Sequence, residues 1–286
     1  MREKAEIRRS LEKISTIPTL PSVIDQIARL LQNPQTTAEE VGKAITTDPA
    51  LASKVLKLVN SAFYGFPGKI GTITHAIVIL GFSTVKNVVL TASIFDFFKS
   101  RNNMHPDFDM KKFWIHSLAS GAASQAIAKH IGFSEKEECF IAGLIHDIGK
   151  VILCQYFPEE FIEIVTRVKE KDILFYESEK ELLDSTHQEI GGMVVERWNI
   201  PANLQDVVRY HHCPAPSRNS YTITAIVHCA DILIRAMDHG YGGDNKVPMI
   251  SEQVWNDLGM NNLSLPPLLE DIDDEIDKAT GLMSLV

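Results

Sequence analysis

The chain has 286 residues but few signs of β-structure: strand-like alternation of polar and apolar residues is scarce. It lacks CxxC pairs. Its four cysteines, Cys139, Cys154, Cys213 and Cys229, lie mostly in apolar helical segments and read as reduced, buried thiols. Dense Lys/Arg blocks are missing too. With 28 basic against 37 acidic residues the formal net charge is -9, which repels phosphate backbones and argues against nucleic-acid partners. By eye, no apolar run approaches the roughly 20 residues of a spanning helix. The start, "MREKAEIRRSLEKIS", is charged where a signal peptide would be apolar. These absences set the expectation of a cytoplasmic chain with no membrane partner. No repeat of fixed period or low-complexity tract is visible.

What is present is helix after helix, so the fold class expected is all-α. Pro21 opens "PSVIDQIARLL" as a first-turn proline, with Ile24, Ile27, Leu30 and Leu31 on one stripe. Thr37 and Glu40 form a capping box, and Asp48-Pro49 starts a helix through "ALASKVLKLVNSAF". Ser83 can cap "TVKNVVLTASIFDFF", and "RNNMHPDFD" is a polar connection. "FWIHSLASGAASQAIAKH" is rich in small residues that let helices approach closely. Ser134 and Glu137 make another capping box, opening a helix that carries His146 and Asp147. Further helices are predicted over about 158–171, 186–198, 203–212 and 221–238. "HGYGGDNKVP" reads as a loop and "LLEDIDDEIDK" as a solvated amphipathic helix. The domain reading is a helical subdomain over 1–105, a helical core over 106–238 and a helical extension over 239–286.

Chemistry concentrates in the core. "GLIHDIGKVIL" sets His146, Asp147 and Lys150 into an apolar run, and a charge taken out of water needs a partner or a metal. Asp147 can simply hold His146 or pair with Lys150 at i,i+3. His116, His187, the doublet His211-His212, and Asp231 also lie in or beside apolar helices. Each has a bland alternative: a serine partner for His116, a helix cap for His212, an i,i+3 pair with His228 for Asp231. Together they form the imidazole and carboxylate set that binds iron, manganese, zinc or nickel, and bundle proteins spread such sets over several helices. His75, His105, His130 and His239 sit near helix ends or in polar loops and read as structural or solvated.

From "IPTLPSVIDQIARLLQNP" through "DPALASKVLKLVNSAFYG", "ITHAIVILGFSTVKNVVL", "FWIHSLASG" and "AGLIHDIGK", the chain resembles the bacterial HDOD signalling family over about residues 14–235. These domains are helical relatives of HD-domain metal-dependent phosphohydrolases, including the HD-GYP cyclic-di-GMP phosphodiesterases, and many act as regulatory modules without metal ligands. The resemblance places the HD ligands on His116, His146, Asp147 and Asp231, and extra HD-GYP-like ligands on His187, His211 and His212. It makes Asp147 a bridging carboxylate and Lys150 a phosphate contact, the two residues of any catalysis. It implies one or two metal ions, and mixed imidazole and carboxylate donors without thiolate favour iron or manganese over zinc or nickel. After the doublet the chain reads "CPAPSRN", where HD-GYP enzymes carry an acidic residue and the GYP loop, and Lys112 stands where a ligand to a third metal would be. The implied function is a signalling module with a retained metal site, acting on protein partners or a phosphoester or nucleotide ligand. The alternative is an active metal-dependent phosphohydrolase, with hydrolysis of cyclic di-GMP expected to be absent or very slow.

Overall fold

The computed structural model describes Ile27, Leu30 and residues 35–99, 108–261 and 263–283, with side chains left out at 94–99 and 281–283. Every regular element among these residues is helical. They fall into two compact units, one over 108–273 and the other over 27–99 with 274–283. The "PSVIDQIARLL" helix, apart from Ile27 and Leu30, and the connection before Phe108 lie outside the described residues.

The smaller unit begins with α1 (Ala38–Thr46) and α2 (Pro49–Val59). α1 starts in the Thr37–Glu40 capping box, in which Glu40 N–H donates to Thr37 Oγ1 and Thr37 N–H donates to Glu40. α2 starts with Asp48 accepting from the backbone N–H of Ala50 and Leu51. α3 (Ile73–Lys99) is broken at Gly81, whose φ of 84° lies outside the helical region. The second half therefore begins before Ser83, which sits inside the helix and does not cap it. Val78, Ile79 and Phe82 around this break are exposed.

The larger unit runs through α4 (Met110–His130), α5 (Lys136–Ile145), α6 (Ile148–Tyr156), α7 (Pro158–Lys171), α8 (Phe175–Leu183), α9 (His187–Arg197), α10 (Ala202–Tyr210), α11 (Tyr221–Ala236) and the short α12 (Glu252–Asp257). α13 (Leu265–Met283) carries the acidic tail sequence. Two glycines explain how helices bearing polar side chains meet. A Cβ on Gly143 would lie 2.5 Å from Ser120 O, so α4 and α5 touch backbone to backbone. A Cβ on Gly149 would lie 1.9 Å from His187 O, so α6 crosses the start of α9 where only glycine fits.

Three local expectations are corrected. α5 starts at Glu135 with no side-chain cap, so Ser134 and Glu137 form no box. The His146–Asp147 pair lies at the junction of α5 and α6, not inside one helix, because Asp147 leaves helical geometry at φ -95°, ψ 14°. Cys139, Cys154 and Cys229 are buried free thiols, but Cys213 is exposed. Ile73–Ser93 and Lys136–Tyr156 are long and apolar enough to cross a membrane by length and composition, against the reading by eye. The second of these is 89% buried and contains the His–Asp junction.

Candidate metal centre

The helix junction turns Asp147 into the middle of a cluster. Its Oδ2 lies 3.3 Å from His146 Nε2 and 3.7 Å from His116 Nε2. Its Oδ1 lies 3.2 Å from His187 Nε2 and 3.7 Å from His211 Nε2. One carboxylate thus presents an oxygen to each of two groups of imidazoles. Asp231, from the middle of α11, completes the first group, its Oδ1 being 3.2 Å from His116 Nε2 and 3.8 Å from His146 Nε2. His212 completes the second, its Nε2 being 3.2 Å from His187 Nε2. All seven side chains named from the sequence therefore meet in one place.

Outward hydrogen bonds fix which nitrogen faces inward. His146 Nδ1–H donates to Gly143 O, and His211 Nδ1–H donates to the carbonyls of Val207 and Val208. His187 Nδ1–H donates to Glu179 Oε2 at 2.7 Å, and the His187 backbone N–H donates to Glu179 Oε1 at 3.0 Å. With Nδ1 protonated, each neutral imidazole presents a bare Nε2 lone pair to the cluster. His187 Nε2 and His211 Nε2 then face each other at 3.3 Å. Lone pairs so placed repel unless a proton or a cation lies between them.

Burial sharpens the problem. His116 Nε2, His146 Nε2 and Asp147 Oδ1 are buried without a hydrogen-bond partner, and such groups are rare because leaving them unsatisfied costs about 1–3 kcal/mol each. Burial pulls His116 down, and drives His211 and His212 well below the usual histidine range, their histidine neighbours adding to the effect. Burial acts the same way on His146 and His187, but Asp147 beside the first and Glu179 beside the second outweigh it and leave both raised. Asp147 and Asp231 should rise on burial. They are held well below the carboxylate range, Asp147 by His146 and Lys150, Asp231 by His116 and Arg235.

The donors suit a metal. Three groups (His116, His146 and Asp231; His146, Asp147 and His211; His187, His211 and His212) each bring their ligand atoms within 4.8 Å of one another. Ligand atoms at about 2.1 Å from one ion lie about 3.0–3.4 Å apart at angles of 90–109°, close to the separations seen here. Lys150 Nζ donates to Asp147 Oδ2 at 2.6 Å and to Gly242 O at 2.7 Å, so the "GYGG" segment closes over this lysine.

Two parts of the site escaped the sequence. Glu179 lies on α8, a helix the sequence reading omitted because "FYESEKELL" looks solvated; it is fully buried. Asp206 organises the "CPAPSRN" loop, accepting from Ser217 Oγ and the backbone N–H of Arg218 and Asn219, and from Asn219 Nδ2. His228 is not tied to Asp231: its Nδ1–H donates to His211 O and braces the doublet. Of the histidines set aside, His75 and His130 are exposed, His239 faces Asp273, and His105 is outside the described residues.

An all-helical core with a histidine–aspartate cluster shared by several helices defines an HD-type domain. Residues 17–214 match the HDOD domain, and the chain belongs to that family. The match ends before Asp231, so α11 adds its carboxylate from beyond the matched segment. Over 229 residues the chain is 28% identical to an uncharacterized protein of Treponema pallidum (strain Nichols), a match covering 79% of this chain and 44% of that protein. The chain thus spans less than half the length of that curated relative. An HDOD domain protein of unknown function from Geobacter sulfurreducens superposes with a TM-score of 0.73 at 27% identity, covering 98% of this chain and 93% of the other. A Shewanella amazonensis SB2B protein, provisionally described as a phosphohydrolase, has a TM-score of 0.73 at 23% identity, covering 97% and 98%, and shares the fold.

Proposed function

We propose that the chain is a signal-transduction module whose core holds one or two metal ions, and that this centre senses a small phosphate-bearing ligand while the surface contacts signalling partners. The observation carrying the metal reading is the convergence of inward-facing Nε2 atoms on the two oxygens of Asp147. His116, His146, Asp231 and Asp147 Oδ2 would hold one ion, and His187, His211, His212 and Asp147 Oδ1 the other. Mixed imidazole and carboxylate donors without thiolate favour iron or manganese over zinc or nickel. Bound metal would supply Lewis-acid binding of phosphate oxygens.

The module reading rests on how closed the site is. Lys150, the residue suited to a phosphate, is engaged by Asp147 and the Gly242 carbonyl. A second reading, an active phosphohydrolase, is supported by the complete donor set. Cyclic di-GMP is set aside as its substrate because Asp206 holds "CPAPSRN" in place of the loop that positions that ligand in HD-GYP enzymes. The test is metal analysis of purified protein, followed by turnover assays on phosphoesters and cyclic di-GMP. Ligand binding without turnover supports the module. Steady multiple turnovers that vanish in Asp147→Asn would establish the enzyme.

A further inference from the structure

His116, His146, Asp147, His187, His211 and Asp231 are each at most 3% exposed, whereas His212 is only partly buried. On the His116 side a backbone segment closes the centre: Tyr241 N–H donates to Lys112 O, and Gly242 O takes Lys150. A cavity of about 170 Å³ lies beside His116, but its cations are already paired, Arg235 with Asp244 and Lys246 with Asp172. Asp238, another lining residue, has no cation partner among the described residues and repels an anion. His212, the most exposed of the seven, marks the edge at which a ligand would approach the centre.

Two residues of α8 stand at that edge. The Tyr176 ring centre lies 5.1 Å from that of His212, and Lys180 Nζ lies 5.0 Å from the centre of the Tyr176 ring. Other cations near the centre are committed, Lys150 to Asp147, Arg209 to Glu196 and Arg235 to Asp244. Lys180 is exposed and has no carboxylate partner among the described residues. Its hold on the Tyr176 face is weak at an exposed position, so a flat group can take its place on the ring. The Lys180 ammonium, 5.0 Å from a ring that is itself 5.1 Å from His212, is close enough to swing towards an anion entering the centre.

We propose that Tyr176 and Lys180 form a recognition lip at the His212 edge that selects a phosphate ester with a flat aromatic organic group. This rests on the metal-centre reading: the centre takes the phosphate, Tyr176 stacks the ring, and Lys180 supplies the charge that an acidic chain otherwise withholds there.

The test uses the full chain loaded with manganese and three non-hydrolysable or inert probes, phenylphosphonate, methylphosphonate and inorganic phosphate, measured by calorimetry. Phenylphosphonate should bind about tenfold more tightly than methylphosphonate, in line with aromatic stacking. Tyr176→Ala should erase that preference while leaving phosphate affinity within about twofold, and Tyr176→Phe should retain it. Lys180→Gln should weaken all three probes several-fold and reduce their salt dependence. Equal affinity of the two phosphonates, or a preference that survives Tyr176→Ala, overturns the lip while phosphate binding keeps the centre. Binding of none of the three to metal-loaded protein overturns the lip. Failure to take up manganese overturns the centre reading itself, and the lip with it.

Discussion

The two sides of the Asp147 carboxylate are built differently. The side facing His116 and His146 has a second carboxylate, Asp231, and is enclosed by α4, the α5–α6 junction and α11. The side facing His187, His211 and His212 has no second carboxylate aimed at the centre among the described residues, and His212 there is partly exposed. Its anion, Glu179, stands behind His187 and faces away from the cluster. The first side is thus suited to hold an ion permanently. On the two-ion reading proposed above, the second would take a more exchangeable ion, with Glu179 behind His187 tuning its hold.

The largest expected effect comes from removing what the sides share. Asp147→Ala leaves Lys150 buried without its partner, which should lower the stability of metal-free protein by about 3–5 kcal/mol and abolish metal uptake on both sides. Urea unfolding and elemental analysis read the two effects separately. Gly149→Ala strikes the second side only, because the new methyl must displace the His187 carbonyl at the crossing of α6 and α9. A loss of about 1–3 kcal/mol is expected, with the second metal equivalent lost and the first kept. If both equivalents survive, the crossing does not position His187.

Glu179→Gln asks a finer question. The amide keeps an oxygen for the His187 backbone but removes the anion opposite Nδ1–H, so affinity for the second equivalent should fall about 10–100-fold. The first equivalent should not change, and metal titration resolves the two steps. Equal weakening of both would mean the sides are not independent.

The smallest effect is a pH dependence. Asp206 is pushed up by burial but held below the usual carboxylate range by its bonds to Asn219, Ser217 and Arg218. Its folded pKa is depressed, so its stabilisation is full above the unfolded value of about 3.9 and fades as pH falls through the folded value. Asp206→Asn should therefore lose about 2 kcal/mol relative to wild type above about pH 5, the gap closing towards pH 3. A gap independent of pH in urea unfolding would show that the carboxylate charge plays no part in holding the 214–219 loop.

The same comparison shows what the sequence could reveal. The helical class and the donors of the first side were legible, because His116, His146, Asp147 and Asp231 interrupt runs otherwise apolar enough to be buried. The break between α5 and α6 was not legible, since apolar residues run on from Cys139 to Cys154 and the residues at the break, His146 and Asp147, are neither glycine nor proline. Glu179 was hidden for the opposite reason. It stands between Glu177 and Lys180 in a run that reads as solvent-facing, and its burial comes from the contact of α8 with α7 and from the His187 bond, both made between helices. Cys213 shows the same limit: it borders an apolar helix, yet the turn after the doublet carries it outward.

The proposal to be tested is that Asp147 joins two ion sites of unequal strength. Metal titration of chelated protein followed by elemental analysis tests it most directly, with wild type beside Asp147→Asn. Two equivalents are expected in wild type, taken up in two resolved steps, and neither in the variant. Wild-type protein that reloads no metal, or a variant that reloads as well as wild type, would contradict it.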